Sequence, residues 1–151
     1  MEKSVVAIVH YEKPLESVRK AVELCRGLDD VPADAKVFIK PNIVFWTPKV
    51  PFPKWGIITT SRLVEDAVIL LKERGIDDIT IGEGTVLQSG DKETPSHAFE
   101  SLGYNLMKDR YGVKVINTFE REFKKVNLDP GETFFSTGTS LKAILSWISL
   151  C

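Results

Sequence analysis

Apolar positions along this chain switch between two periods. Val5-Val6-Ala7-Ile8-Val9 is a continuous, largely β-branched run, the pattern of a strand covered on both faces. After Pro14 the spacing becomes helical, with Leu15, Val18, Ala21, Val22 and Cys25 on one stripe and Gly27 placed to cap its end. Lys36-Val37-Phe38-Ile39-Lys40 predicts a second strand, stopped by Pro41. A long segment from Asn42 to Gly56 then mixes Pro48, Pro51 and Pro53 with Phe45, Trp46, Phe52 and Trp55. Thr59-Thr60-Ser61 has the residue types of a helix N-cap, and Leu63, Ala67, Leu70 and Leu71 carry a helix from Arg62 to Arg74, closed by Gly75.

The alternation continues. Asp78-Ile79-Thr80-Ile81 reads as a third strand ending in Gly82-Glu83-Gly84, Thr94-Pro95 opens a helix to about Leu102, and Val113-Lys114-Val115-Ile116 reads as a fourth strand. Strands and helices in strict alternation specify a mainly parallel sheet with right-handed crossovers and helices on both faces, a Rossmann-like α/β fold. Beyond Asn117 the pattern weakens. Phe123 to Leu128 reads as an edge strand and Asp129-Pro130-Gly131 as a turn. Residues 1–130 therefore form the α/β domain, and 131–151 an atypical C-terminal segment. In that segment Leu141, Ile144, Leu145 and Ile148 make a helical stripe, widened by Trp147 and Leu150. Such a stripe needs covering, either by folding back on the sheet or by a second copy in a homodimer.

Composition narrows the function classes. The chain has 151 residues, enough for one domain with a real core. Its formal charge of −1 gives no reason to expect a nucleic acid as partner. The longest apolar stretch, Leu141 to Cys151, is too short to span a bilayer, and no basic-then-apolar leader follows Met1, so no membrane role is expected. The two cysteines, Cys25 and Cys151, form no CxxC and no Cys/His cluster. No metal site is read from them, Cys25 reads as a buried helical thiol, and a reducing cytoplasmic setting follows.

In open α/β sheets ligands bind beyond the carboxyl ends of the strands. That rule selects His10, Lys40, Asn42 and Glu83 as ligand-binding candidates, each lying where a strand ends. Lys40, fixed by the following Pro41, aims an ammonium at the crevice and suits an anion. Glu83 stands between two glycines that allow positive φ and close backbone approach. Thr59 and Thr60 join them, because a helix N-terminus can receive an anion as readily as it can be capped. His10 titrates near neutrality and can serve as acid, base or ligand. Gly82-Glu83-Gly84 is neither GxGxxG nor GxxxxGK[ST], so no dinucleotide or Walker-type phosphate loop is present. The aromatic loop from Asn42 to Gly56 has the length of a lid or docking loop.

These motifs resemble a known family. Val37-Phe38-Ile39-Lys40-Pro41-Asn42-Ile43-Val44, Ile58-Thr59-Thr60, Ile79-Thr80-Ile81-Gly82-Glu83-Gly84, His97-Ala98-Phe99-Glu100 with Gly103-Tyr104, and Tyr111-Gly112-Val113 follow the order of the domain-of-unknown-function family numbered 362. The resemblance covers about residues 4 to 128 and is to the N-terminal half of that family. It implies association with ferredoxin-like modules that carry iron–sulfur clusters. The cluster-binding cysteine pattern is missing here, so no iron–sulfur cluster is expected on this chain itself. The family continues with an apolar strand and a Pro-x-x-Lys-Thr-His-like segment, whereas Phe134 to Cys151 reads unlike it, as a truncated or frame-shifted end would. Two functions follow as expectations. One is a small anionic ligand bound at the sheet edge, in the N-terminal half of an iron–sulfur-associated redox or metabolic protein. The other is an interaction module that docks a ferredoxin-like partner through the aromatic loop, or an inactive fragment. Neither the reaction nor catalysis itself is fixed by these residues.

Overall fold

A computed structural model of the protein describes residues 5–49, 53, 56–84, 94–118, 125–126 and 138–139. Its centre is a parallel sheet of three strands, β1 (Val37–Ile39), β2 (Ile79–Glu83) and β3 (Lys114–Asn117), in the order β1-β2-β3. The register sets Ile39 beside Ile81, Ile81 beside Val115 and Glu83 beside Asn117. Helix α2 (Ser61–Glu73) crosses from β1 to β2, and α3 (Thr94–Ser101) with α4 (Tyr104–Tyr111) crosses from β2 to β3. The α/β class read from the alternating pattern is the class found.

The core explains why β2 is central. Ile79 and Ile81 are fully buried and point, two residues apart, at the same face. There they meet Val64, Val68 and Leu71 of α2, Ala98 and Phe99 of α3, and Tyr104 and Met107 of α4. Burying one such isoleucine contributes roughly 1.5–3 kcal/mol, so this cluster is where the domain gains its stability. Phe99 and Tyr104 meet edge to face, with ring centroids 6.0 Å apart.

The opposite face turns on Gly82. A Cβ there would lie 2.5 Å from Phe38 Cζ and 3.0 Å from Ile116 Cγ1, so the ring of Phe38 occupies the space that any other residue would need. Gly82 is thus required for close approach rather than for a left-handed turn, since the strand runs on through it to Glu83. Gly82 and Glu83, expected in the βα turn, belong to the strand instead.

Other expectations change in detail. Val5–Val9 is not a strand: it pairs with no strand and is largely exposed, because among the described residues β1 has β2 as its only strand neighbour. The first helix, α1 (Glu16–Cys25), ends on Arg26 in the left-handed conformation (φ 54°), not on Gly27. The N–H of Gly27 instead donates to Val22 O at 2.9 Å. Cys25 is half-buried rather than buried, its thiol donating to Val22 O. Helix α4 was not foreseen. Lys125–Val126 pairs antiparallel with Gly138–Thr139 as a separate two-stranded ribbon, β4 and β5, and not as an edge of the main sheet. The apolar stripe at Leu141–Ile148 and the turn at Asp129–Gly131 lie outside the described residues. So do Phe52 and Trp55.

Gly82→Ala is expected to cost about 1–3 kcal/mol of stability through overpacking against Phe38. Adding Phe38→Leu to that variant should return part of the loss, a non-additivity measurable in urea unfolding midpoints.

Candidate functional site

The parallel register brings the ends of β1 and β2 to one edge of the sheet, and there Lys40 and Glu83 meet. Lys40 Nζ donates to Glu83 Oε2 at 2.9 Å. The Glu83 side chain is only 7% exposed, whereas that of Lys40 is 44% exposed. A carboxylate so deeply buried needs every lone pair answered. The chain answers them with backbone: Ile43 N–H donates to Oε2 at 3.1 Å and Gly84 N–H to Oε1 at 2.9 Å. Alternation along β2 explains the burial, because Glu83 lies on the same face as Ile79 and Ile81. Ile43, which supplies one amide, is itself fully buried.

Asn42 and Thr59 extend this centre. Thr59 N–H donates to Asn42 O at 2.9 Å, and Asn42 N–H donates to Thr59 Oγ1 at 3.0 Å, a closed pair between the loop after β1 and the start of α2. Asn42 Nδ2 donates to Ile57 O, so its amide is used within the loop. Thr60 is the N-cap of α2 in extended conformation, with no side-chain cap bond. The first N–H groups of α2 therefore point out of the helix beside Asn42 without a threonine hydroxyl over them.

Four of the six residues selected from sequence, Lys40, Asn42, Thr59 and Glu83, thus form one bonded group, and Thr60 adjoins it. His10 does not join them. Its ring is 86% exposed and faces Glu12 Oε1 at 3.2 Å, because the segment that carries it is not part of the sheet. Trp46, the described tryptophan of the aromatic loop, packs against the core and donates from Nε1 to Ser101 Oγ at 2.9 Å.

Two further residues escaped the sequence reading. Tyr104 is fully buried, and its hydroxyl donates to Thr59 O at 3.1 Å, tying α4 to the site loop. Burial raises its phenol well above the ordinary range, and the negative charge of Glu83 adds to the rise. Asp66 of α2 is also fully buried. It accepts from Tyr11 OH at 2.8 Å, and its other oxygen lies 3.4 Å from Arg62 Nε. The readable signal was an acid at the third position after Leu63 and the fourth before Leu70, inside an apolar stripe.

Among the described residues no group of three or more His, Cys, Asp or Glu is placed to hold a metal ion, and no helix is long and apolar enough to cross a membrane.

Two outcomes are expected. Glu83→Ala leaves the buried amide of Ile43 without its acceptor and removes the partner of Lys40, so it should cost on the order of 3 kcal/mol in urea unfolding. Glu73→Ala, which breaks the solvent-exposed pair with Arg19, should cost far less. For Tyr104 the folded pKa lies above the unfolded one. The stability it gives is complete below the unfolded value of about 10 and is lost as the pH rises beyond it. Tyr104→Phe should therefore reduce the alkaline loss of stability, followed by circular dichroism between pH 9 and pH 11 (about one unit either side of that value).

The sequence model of the family described as domain of unknown function, DUF362, matches residues 37–150. The match starts at β1 and takes in Lys40, Asn42, Thr59, Thr60 and Glu83. It also runs past residue 128, where the resemblance carried by the motifs stops. No curated protein and no solved structure matches the chain. A match over most of the sequence, including the strands that build the site, establishes that the chain belongs to the DUF362 family.

Proposed function

We propose that the carboxyl edge of the sheet binds a small anionic molecule, with Lys40 as the cation that receives it. The observation that carries this reading is the Lys40–Glu83 pair. Glu83 is buried and pinned by two backbone amides, so it holds the ammonium in one place. Lys40 spends one N–H on that carboxylate and is 44% exposed, leaving donors for a ligand. The N-terminus of α2 lies alongside, joined through Thr59 and Asn42, and adds outward N–H groups and the positive end of the helix dipole. An anion between the two would be bound by an ammonium and by main-chain donors, both favourable to charge.

On this reading the chain is the anion-binding N-terminal half of an iron–sulfur-associated redox or metabolic protein of the cytoplasm. Support for that setting is the family resemblance together with a half-buried free thiol at Cys25. A ferredoxin-like partner would hold the cluster. Docking of that partner through the aromatic loop alone has less support, since Trp46 is engaged with Ser101 and the core.

Lys40→Ala by itself would leave Glu83 buried without its cation, so folding and binding would both respond. Lys40→Met combined with Glu83→Gln removes both charges and keeps a side-chain carbonyl for one of the two amides. Calorimetric titration with phosphate, sulfate and citrate is expected to show at least one anion binding the native chain. That anion should bind the double variant roughly tenfold or more weakly, as loss of a charge-assisted hydrogen bond of about 1.5–3 kcal/mol requires. Equal affinity in both proteins would remove Lys40 from the site.

A further inference from the structure

The least satisfied part of the described molecule is the segment before α1. Val5, Val6 and Ile8 are 63%, 81% and 95% exposed, an unusual outlay of β-branched surface when, among the described residues, the edge of β1 away from β2 carries no strand. From Val6 onward the exposure alternates: Ala7 and Val9 are half-buried, whereas Val6 and Ile8 stand open. That is the period of a strand with one face already turned inward. The segment meets α1 at Leu15, a non-glycine residue at φ 61° and ψ −53°. This backbone conformation is costly for an L-residue with a branched side chain.

The position of α1 shows where the segment belongs. Right-handed crossovers between neighbouring parallel strands, taken in one direction along a sheet, place their helices side by side in one layer. Helix α2, which joins β1 to β2, has α1 as its neighbour: Arg19 of α1 binds Glu73 of α2 through both guanidinium nitrogens, at 2.6 and 2.8 Å. Tyr11, just past the segment, is fastened to Asp66 of α2 at 2.8 Å. A helix in that place is the crossover of a strand lying on the edge of β1 away from β2. A strand on the far side of β3 would put its crossover away from α2.

We infer that Val5–Val9 is a strap that closes on the edge of β1 away from β2 as a fourth parallel strand, swinging from the anchored Tyr11 and carrying His10 to the side of Lys40. Facing fixes the register. Val37 and Ile39 pack toward the helices and Phe38 toward the other face. Ala7 and Val9 turn inward while Ile8 is open. Ala7 beside Val37, Ile8 beside Phe38 and Val9 beside Ile39 satisfy every residue, and His10 then falls level with Lys40. The open surface of Ile8 is covered by Phe38, and the imidazole adds a titratable group to the sheet edge. The closure stands on the geometry of α1 and β1 alone; only the role of His10 toward a ligand rests on the anion-binding reading.

Amide hydrogen exchange of the full chain, residue by residue and without added anion, tests the strap. Closure predicts that alternate amides within Val5–Val9 exchange at least tenfold more slowly than free peptide. Ile8→Pro should abolish that protection while leaving the amides of β2 protected. The protection should be the same at two protein concentrations tenfold apart. Lys40→Met with Glu83→Gln should leave it in place, which separates the strap from the anion site. Free-peptide rates throughout Val5–Val9 in the native chain overturn the inference. Protection that appears only at the higher concentration also overturns it, because the occupant of the edge would then be a second copy.

Discussion

A buried carboxylate at the end of the central strand sets the conditions for everything around it. Glu83 sits where alternation demands an inward residue, directly after Ile79 and Ile81 on the same face. Removing a carboxylate from water is expensive, and the surrounding chain is arranged to offset that cost. The loop after β1 must turn so that Ile43 offers its amide, the strand must end so that Gly84 offers its own, and Lys40 must lie over both. Once Ile43 is committed, Asn42 is held against Thr59, and Thr59 fixes the start of α2. Tyr104 then ties α4 to the carbonyl of Thr59. One desolvated charge thereby organises two loops and two helices.

Much of this was legible in the sequence, and the reasons differ by element. β2 could be read because Ile79 and Ile81 flank a β-branched Thr80 in a short run closed by glycines. α2 could be read because Leu63, Ala67, Leu70 and Leu71 hold helical spacing for several turns. Lys40 and Glu83 were selected by topology: parallel strands put their carboxyl ends together whatever the side chains are. What could not be read was their bond to each other, since pairing across 43 residues depends on register, which single strands do not encode.

The failures have equally local causes. Val5–Val9 has the composition of a strand, but composition supplies no hydrogen-bond partner. His10 was placed with the site only because the strand was assumed. Helix α4 was missed because Tyr104, Met107 and Tyr111 give a thin stripe among polar neighbours, bracketed by Gly103 and Gly112, both at positive φ. Arg26 in the left-handed conformation shows the same limit from the other side: a glycine stood next to it, and the chain capped its helix one residue early.

The pairing of Lys40 with a carboxylate from its own chain has a consequence for how a ligand would be found. Because the ammonium and Glu83 cancel, the sheet edge projects little field into the solvent, and the chain as a whole carries a charge of −1. Approaching anions are therefore not drawn in from beyond a Debye length, and arrival would depend weakly on ionic strength. Discrimination would fall instead to the last few ångströms, where an anion is chosen by the shape of its oxygens.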